Sequence, residues 1–378
     1  MWDTIVIGSG IGGLAAAAAL AKRQRRVLVL EQHKVAGGLT QTFRRQDWTF
    51  ATGVHYIGGV GPQPGPDGAF GRLLGWLSDG AISFEPCANP YDIVSLPGFV
   101  FGIPHPASAY RAALLERFPD QRAAIVGWFK ACEAARRSAF TLFALHGMPA
   151  WLAWGLRQWR GTEVRRWTEH TLADEMAKID DPLLRAVLGA RWGDYGAPPA
   201  QAPFAEHALV TASYDAGSYY PVGGPARFAQ CLVPVIEAAG GEVRLGCDVK
   251  RIITDNGRAC AVQYELRGER RSEHARHVIS AMGAANTVSC LEPTEAAAWQ
   301  QSVRELGPGI SYLSLYVGLD GDILRSLREE LPRVAVDVVR PNPPVAGEAR
   351  VECSWRGGCR QREQERGERA EADEPHAR

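Results

Sequence analysis

The sequence predicts an α/β protein: a doubly wound domain with an inserted α+β domain of mixed sheet and helices. Three observations predict this fold. A strand, a glycine-rich turn, a helix and a second strand follow one another within residues 3–31. Residues from about 72 to 220 then show mainly helical periodicity, and short strands return between 242 and 282. A strand–helix–strand unit is typical of parallel sheets, and the later strands are expected to rejoin the first ones.

The glycine-rich turn gives the first unit its chemistry. Three glycines follow the strand at 3–7 with the spacing Gly-x-Gly-x-x-Gly. Gly8 permits a tight turn, Gly10 lets the backbone approach a pyrophosphate, and Gly13 lets the helix pack closely on the sheet. The helix N-terminus offers free N–H groups to the phosphates. Glu31 follows where such motifs place a ribose-binding acid. The unit therefore predicts a Rossmann-like dinucleotide site, with a ligand-free glycine turn as the alternative.

A second glycine pair indicates which dinucleotide to expect. Gly37 and Gly38 follow Glu31 after five residues, with Thr40 just beyond. In flavoproteins with two dinucleotide-binding domains, a segment at this place lines the flavin side of FAD. Nicotinamide dehydrogenases usually continue here with another strand–helix unit. FAD is therefore preferred to NAD, and an NAD(P)-binding protein without flavin remains the alternative.

Composition excludes several function classes. The chain of 378 residues is 46% hydrophobic, which supports a sizeable core, and its 42 basic residues balance 42 acidic ones, so nucleic acid is not an expected partner. Eight cysteines include no Cys-x-x-Cys pair, and no acidic or histidine cluster has metal spacing, so no metal is expected. The absence of a Gly-x-Ser-x-Gly elbow weakens a hydrolase interpretation. No secretory signal is recognised, and a cytoplasmic protein with reduced thiols is expected.

Periodicity and turn residues divide the chain further. The expected domain segments are 1–60 (first FAD-binding segment), 61–220 (substrate domain, partly helical), 221–295 (returning FAD-binding segment), 296–350 (substrate-domain strands) and 351–378 (polar tail). The expected helices are 14–22, 107–118, 121–142, 172–188 and 227–239. The expected strands after the first unit are 242–245, 249–254, 259–265, 278–282, 312–319 and 334–339, and 60–71 is expected to be a loop.

One apolar stretch, 139–156, could contact a membrane. Pro149 should end or kink a helix there, so a spanning helix is not expected. Trp151, Trp154 and Trp159 stand beside arginines, a composition that suits a membrane–water interface and a peripheral attachment. A buried helical hairpin is the equal alternative.

Several segments resemble a known family. The segments 37–43, 50–58, 193–204, 220–224 and 234–241 are similar to the all-trans-retinol 13,14-reductase (retinol saturase) family, which belongs with phytoene desaturases and carotenoid isomerases. This resemblance covers roughly residues 3–340. It implies FAD, a lipophilic polyene or isoprenoid substrate, and redox chemistry on carbon–carbon double bonds: saturation, desaturation or isomerisation. NAD(P)H is a candidate electron donor. The direction of reaction is left open.

The resemblance also implies roles for individual residues. It places the adenosine diphosphate half of FAD against Gly8, Gly10, Gly13 and Glu31. The pyrophosphate and flavin would lie along Gly37, Gly38 and Thr40. The adenine would pair with the backbone of Val249. Reduction of a polyene also needs a proton, and the candidate catalytic residues are Tyr195, Asp194 and His55, with His207 nearby. A turn-forming carboxylate and hydrogen-bonded core residues are the alternatives.

Two departures from the family pattern stand out. Ala51 occupies a position where the family often has Asp before Thr-Gly. Residues 356–378 contain no Val, Ile, Leu, Met, Phe, Tyr or Trp, and such a segment is expected to be disordered. A truncation or a shifted reading frame near residue 350 is the hypothesis for this tail. A non-catalytic remnant of the family is the matching functional alternative.

Overall fold

The computed structural model describes residues 1–61, 68–306 and 314–317. The strands are β1 (Trp2–Ile7), β2 (Val27–Glu31), β3 (Thr42–Arg45), β4 (Trp48–Ala51), β5 (Phe84–Pro86), β6 (Asp92–Leu96), β7 (Phe99–Ile103), β8 (Tyr219–Pro221), β9 (Glu242–Leu245), β10 (Cys247–Asp255), β11 (Arg258–Leu266) and β12 (Glu269–Ser280). The helices are α1 (Ile11–Ala21), α2 (Ala69–Leu77), α3 (Ala107–Arg117), α4 (Arg122–Gly147), α5 (Ala150–Glu169), α6 (Leu172–Met176), α7 (Pro182–Gly189), α8 (Trp192–Tyr195), α9 (Phe204–Ser213), α10 (Arg227–Ala238), α11 (Ala284–Ser289) and α12 (Pro293–Leu306).

A six-stranded mixed sheet organises the nucleotide-binding region. Its order is β10-β11-β12-β1-β2-β9. The pairs β12–β1, β1–β2 and β2–β9 are parallel, while β10, β11 and β12 form an antiparallel meander. The sheet therefore joins the first strands of the chain to strands that return more than 200 residues later. This confirms the predicted doubly wound α/β fold.

Alternate residues of β1 and β2 fill two separate cores. Val6 and Val29 pack with α1 and α10 on one face of the sheet. Ile5 and Leu28 pack toward the antiparallel meander on the other face. Since neighbouring side chains of a strand point to opposite faces, these short apolar runs are buried on both sides. This position leaves the turn after β1 at the carboxyl edge of the sheet, the usual place for a ligand in such folds.

A helical region with two small strand pairs covers the other part of the chain. Its core packs side chains of α3, α4, α7 and α9 together, including Leu114, Ile125, Val187 and Phe204. The strand pairs are β5–β8 and β6–β7. The region is thus the predicted mixture of helices and small sheets.

Proline determines where two of the predicted helices break. The expected interruption at Pro149 is confirmed, because α4 ends at Gly147 and α5 begins at Ala150. The prediction of one helix over 172–188 is wrong. Asp181 accepts hydrogen bonds from the backbone N–H groups of Leu183 and Leu184 at 2.9 Å, and Pro182 occupies the first turn, so a second helix starts there.

Other element boundaries also differ from the predictions. The predicted loop 60–71 is wrong at its end because α2 begins at Ala69, and 62–67 lie outside the described residues. β12 begins nine residues before the predicted strand 278–282 and ends at Ser280. The prediction missed the first half of β12 because that half is mostly exposed and charged and has no alternating apolar pattern. No strand is assigned to 314–317, and the rest of the predicted strand 312–319, strand 334–339 and the tail lie outside the described residues. Among the helices of the described ranges, none has the length and apolar character needed to cross a bilayer.

Candidate functional site

The turn between β1 and α1 has the shape of a phosphate cradle. Gly8 has a φ of +94°, which favours glycine, and its N–H donates to the Leu30 carbonyl at 2.8 Å. A Cβ on Gly13 would lie 2.0 Å from the carbonyl oxygen of Gly8, so only glycine allows α1 to approach this closely. A Cβ on Gly10 would meet no atom of the described residues within 4 Å. The side of Gly10 that a pyrophosphate must approach is therefore open, and the cradle fits a dinucleotide.

The second glycine pair lies directly against the first motif. Gly37 forms an isolated parallel bridge with Gly10, and a Cβ on Gly38 would lie 3.0 Å from the Gly10 Cα. Both glycines have positive φ angles, +122° and +56°. The hydroxyl of Thr40 donates to the Gly37 carbonyl at 2.7 Å and holds this turn. The two segments, separated by more than twenty residues, thus form one continuous glycine-lined surface.

Glu31 is fixed at the end of β2 by three donors. Its Oε2 accepts hydrogen bonds from the Ser9 backbone N–H at 2.7 Å and the Ser9 hydroxyl at 2.6 Å, and its Oε1 accepts one from the His33 N–H at 2.7 Å. A carboxylate has roughly four acceptor positions, so Oε1 retains capacity for a ribose hydroxyl. Sequence reasoning missed Ser9 because it occupies a variable position of the motif. Its role follows only from the bend that brings it to Glu31.

Val249 lies near the same acid. Leu245 pairs with Glu31 across β9 and β2, and the Gly246 N–H donates to the His33 carbonyl at 3.1 Å. These contacts bring the start of β10 next to Glu31, at the end of the cradle. The Val249 carbonyl also accepts a bond from the Cys290 thiol at 3.7 Å. Among the described strands β10 is at the edge of the sheet, a position that leaves one side of its backbone without a neighbour from those strands.

A hairpin connects the second glycine pair to His55. The Thr52 hydroxyl donates to the Gln41 carbonyl at 2.7 Å, which closes the β3–β4 hairpin onto the glycine segment. Ala51 is buried, so the position where the family often has Asp is here part of an apolar surface. His55 follows after four residues. Within the described ranges its Nδ1 is buried and has no hydrogen-bond partner, which is rare for a polar atom and needs a physical reason.

A buried arginine holds an aromatic cluster between His55 and α8. Arg191 is 5% exposed, and its Nη2 donates to the Tyr91 hydroxyl at 2.7 Å. Its guanidinium lies 4.3 Å from the Tyr214 ring centroid and 5.1 Å from that of Tyr91. Asp194, at 3.3 Å, and Asp92, at 3.7 Å, form ion pairs with it. Desolvation by burial raises the pKa of Tyr91 to about 12, so this phenol stays protonated.

The aromatic cluster links the predicted catalytic residues. The rings of His55 and Tyr56 pack edge to face with their centroids 5.1 Å apart, and those of Tyr56 and Tyr214 do so with their centroids 5.5 Å apart. Tyr214 stacks on Arg191, which is paired with Asp194. Sequence reasoning missed Tyr91, Tyr214 and Arg191, because they are far apart in the chain and belong to no recognisable motif.

Tyr195 is held by His207. The Tyr195 hydroxyl lies 3.0 Å from Nδ1 of His207, and Nε2 of the same ring lies 3.1 Å from the Leu188 carbonyl oxygen. His207 is fully buried. Desolvation lowers the pKa of His207 to about 4, so its ring is neutral at pH 7.

Acidification between pH 6.5 and 4 is expected to destabilise the protein through His207. The unfolded histidine binds a proton near its ordinary pKa of 6.5, whereas the folded one binds it only near pH 4. Across that window the unfolded state holds more protons, so the free energy of unfolding falls as the pH falls, by up to about 3 kcal/mol. Urea unfolding midpoints measured at several pH values check this. His207→Asn, which cannot titrate, should show a shallower pH dependence, and an identical slope would contradict the assignment.

Family models match two parts of the chain. Residues 6–66 match the NAD(P)-binding Rossmann-like domain, and residues 163–355 match the flavin-containing amine oxidoreductase model. The first match covers both glycine segments and Glu31.

Curated relatives are similar to most of the chain. The all-trans-retinol 13,14-reductases of Danio rerio and Homo sapiens are each 33% identical to this chain over 84% of its length. A chloroplastic prolycopene isomerase of Arabidopsis thaliana is 27% identical over 86%. The chain spans about half the length of these relatives, 54% for the two reductases and 55% for the isomerase.

Solved structures show the same fold at low identity. An oxidoreductase from Methanosarcina mazei has a TM-score of 0.55 and 19% identity, with 80% of this chain and 64% of that one covered. A putrescine oxidase has a TM-score of 0.51 and 18% identity, with 77% and 60% covered.

Proposed function

Because the chain belongs to the flavin-containing amine oxidoreductase family, we propose that it binds FAD and performs redox chemistry on carbon–carbon double bonds of a polyene or isoprenoid. The observation that supports this most is the joined pair of glycine segments, in which Gly38 touches Gly10 and continues the phosphate cradle. Similarity to the retinol 13,14-reductases favours saturation of a retinoid-like substrate. The prolycopene isomerase similarity supports isomerisation or desaturation as the second candidate.

The proposed domains follow from the sheet. Segments 1–60 and 221–295 would form the FAD-binding domain, since they supply all six strands of the central sheet. Segments 61–220 and 296–350 would form the substrate domain, and 351–378 would be a polar tail.

In this proposal the cofactor-binding residues act in two groups. The pyrophosphate would bind to the free N–H groups at the start of α1, on the open side of Gly10. Glu31 would accept a hydrogen bond from the ribose, and Val249 would pair with adenine through its backbone. Gly37, Gly38 and Thr40 would lie along the pyrophosphate and flavin. FAD, when bound, supplies the hydride transfer. The chain's own residues bind it, orient the substrate and exclude water.

The proton that reduction requires would come from the group His55, Asp194 and Tyr195. The contacts favour His55 among them, because its Nδ1 has no partner in the described part of the chain and its loop follows the hairpin on the glycine segment. An imidazole can carry a proton on either nitrogen, so a bound substrate or water could take up the free position. Asp194 is engaged with Arg191, which gives it a positioning role toward the aromatic cluster.

A flavin spectrum tests the proposal. The purified chain, reconstituted with FAD and desalted, should show a bound-flavin absorption spectrum at about one flavin per chain. All-trans-retinol is then added under anaerobic conditions, with NADPH in one sample and dithionite in another, so that the two electron donors are compared. Oxidation of the reduced flavin and loss of polyene absorbance are read in the same cuvette. A folded chain that retains no flavin would reject the cofactor assignment. Bound flavin that no polyene reoxidises would reject the substrate class.

Peripheral membrane contact is the second part of the proposal. The α4–α5 hairpin presents large exposed side chains on both sides of its turn: Phe140, Phe143, Trp151, Leu152, Trp154 and Trp159. Trp159 is 80% exposed and Trp151 is 75% exposed, so the hairpin is not the buried one of the alternative interpretation. Arginines follow the tryptophans along α5, a combination that suits anionic headgroups over an apolar boundary. A lipophilic substrate would reach the protein through such a surface, and we propose a cytoplasmic location peripheral to the membrane.

The double variant Trp151→Ser/Trp154→Ser is expected to reduce membrane binding at least fivefold. Each exposed indole that enters the lipid interface contributes by burial of apolar area, and serine removes that contribution. Flotation with vesicles of phosphatidylcholine and phosphatidylserine measures the bound fraction. Trp76→Ser removes another half-exposed tryptophan, on α2, and should leave flotation unchanged. Equal flotation of all three proteins, or none from the wild type, would reject this surface.

A further inference from the structure

The hydrogen bonds around Tyr195 determine where its only proton points. The Leu188 carbonyl oxygen can only accept, so Nε2 of His207 must carry a proton to bond with it at 3.1 Å. A neutral imidazole has one N–H, and the fully buried ring is neutral at pH 7. Nδ1 of His207 is therefore an acceptor. The Tyr195 hydroxyl, 3.0 Å away, must be the donor.

Tyr195 thus has one kind of hydrogen-bonding capacity left. Its proton is committed to a ring that is itself locked by a backbone carbonyl, and among the described residues no second hydrogen bond to the Tyr195 oxygen is recorded. The phenol is half-buried, whereas His207 behind it is sealed from solvent. Burial and the nearby acids Glu206 and Asp194 raise the pKa of Tyr195, which keeps it a neutral phenol. Its exposed side offers an acceptor lone pair.

We infer that Tyr195 binds the hydroxyl group of a lipophilic alcohol by accepting its hydrogen bond, and that His207 is the residue that positions it. This inference rests on the proposed function, since it specifies the polar end of the polyene substrate. The neighbouring carboxylate Asp194 is already engaged by Arg191, and the lipophilic polyene of the proposed function offers a hydroxyl as the donor for the Tyr195 oxygen. Tyr195 contacts the ligand but does not supply the proton, a role that the contacts leave to His55.

The location agrees with a substrate-binding role. Asp194 and Tyr195 end the short helix α8, and Asp194 connects through Arg191 and Tyr214 to the loop of His55. The polar end of a ligand held at Tyr195 would therefore lie beside the aromatic cluster that joins α8 to the loop of His55.

A pair of probes tests the direction of this hydrogen bond. The probes are all-trans-retinol and retinyl methyl ether, which has the same polyene and oxygen but no O–H. Binding to the full chain is measured by equilibrium dialysis. We expect the wild type to prefer retinol, and Tyr195→Phe to lose about five- to tenfold in affinity for retinol while its affinity for the ether stays unchanged, as expected for one neutral hydrogen bond. Because the comparison is a double difference, the bulk of the methyl group cancels.

His207 provides the second measurement. His207→Asn keeps an amide oxygen close to the position of Nδ1 and should preserve the preference for retinol. His207→Leu removes the acceptor, which frees the Tyr195 proton to donate, so the ether should bind at least as well as retinol. Equal weakening of both probes by Tyr195→Phe, or no weakening of either, would overturn the inference. The flavin spectrum of the same proteins is measured independently of the probe affinities. A wild type without a bound-flavin spectrum refutes the proposed function. A wild type with bound flavin that does not discriminate between the two probes refutes only the role of Tyr195.

Discussion

Gly10→Ala is expected to weaken FAD retention at least about 100-fold while the protein stays folded. The new methyl group would meet no atom of the described residues within 4 Å, and the φ of −58° at this position suits any L-residue. The described part of the fold therefore accommodates the substitution. The methyl group would, however, occupy the space through which a pyrophosphate must approach the backbone. Gly10→Val, with a larger side chain, should abolish retention. The flavin-to-protein absorbance ratio after desalting, with circular dichroism of the same sample, measures both properties.

Two neighbouring glycines provide matched controls for this experiment. Gly12→Ala adds the same methyl group to the same turn of α1, also with no atom within 4 Å, and should retain flavin because the motif does not require glycine there. Gly13→Ala should behave differently again, since its Cβ would lie 2.0 Å from the Gly8 carbonyl oxygen and must displace the helix. We expect a lower unfolding temperature for that variant even without cofactor. Retention of flavin by Gly10→Ala at the wild-type level would refute the cradle.

Arg191→Met is expected to lower the free energy of unfolding by about 3–5 kcal/mol. The substitution leaves Asp194 and Asp92 without their buried cation and removes the charge that stacks between Tyr91 and Tyr214. An uncompensated charge in such a place is costly, whereas the methionine side chain replaces most of the lost volume. Urea unfolding followed by circular dichroism measures the change.

A surface arginine is the control for this variant. Arg45 also stacks on an aromatic ring, that of Phe43 at 5.5 Å, but it is exposed. Arg45→Met should change stability by less than about 0.5 kcal/mol. Arg191→Lys should recover only part of the loss, because an ammonium cannot stack on two rings and bond to Tyr91 in the same way. If Arg191→Met and Arg45→Met were equally mild, the buried cluster would have no stabilising role.

The nucleotide-binding fold could be predicted from the sequence because its determinants are local. Gly8, Gly10, Gly13 and Glu31 lie within one strand–helix–strand unit, and each strand there is a short apolar run. The same local logic failed where packing or pairing decided the structure. The charged first half of β12 is a strand only because β11 pairs with it. The helix predicted over 172–188 ignored the cap and proline at Asp181 and Pro182.

The candidate site was predictable only in part for the same reason. The motif positions identify the cradle, but Ser9 gains its role from a bond to Glu31 across 22 residues. The aromatic cluster is less visible still, since Tyr91 and Arg191 are 100 residues apart and neither belongs to a motif. The partner of Tyr195 lies 12 residues along the chain, and no spacing rule indicates which ring nitrogen faces it. Hydrogen-bond direction depends on the Leu188 carbonyl, which only the folded structure reveals.

The order of strands in the central sheet also has a consequence for biosynthesis. β1 and β2 leave the ribosome early, yet the parallel neighbours that cover their outer edges, β12 and β9, are more than 200 residues away in sequence. At roughly 5–20 residues per second, two apolar strand edges stay unpaired for about 10–50 s while the intervening helices are translated. Exposed edges of this kind recruit other chains. Production of the protein should therefore depend on chaperone capacity and on the speed of elongation through the helical region more than on the stability of the finished fold.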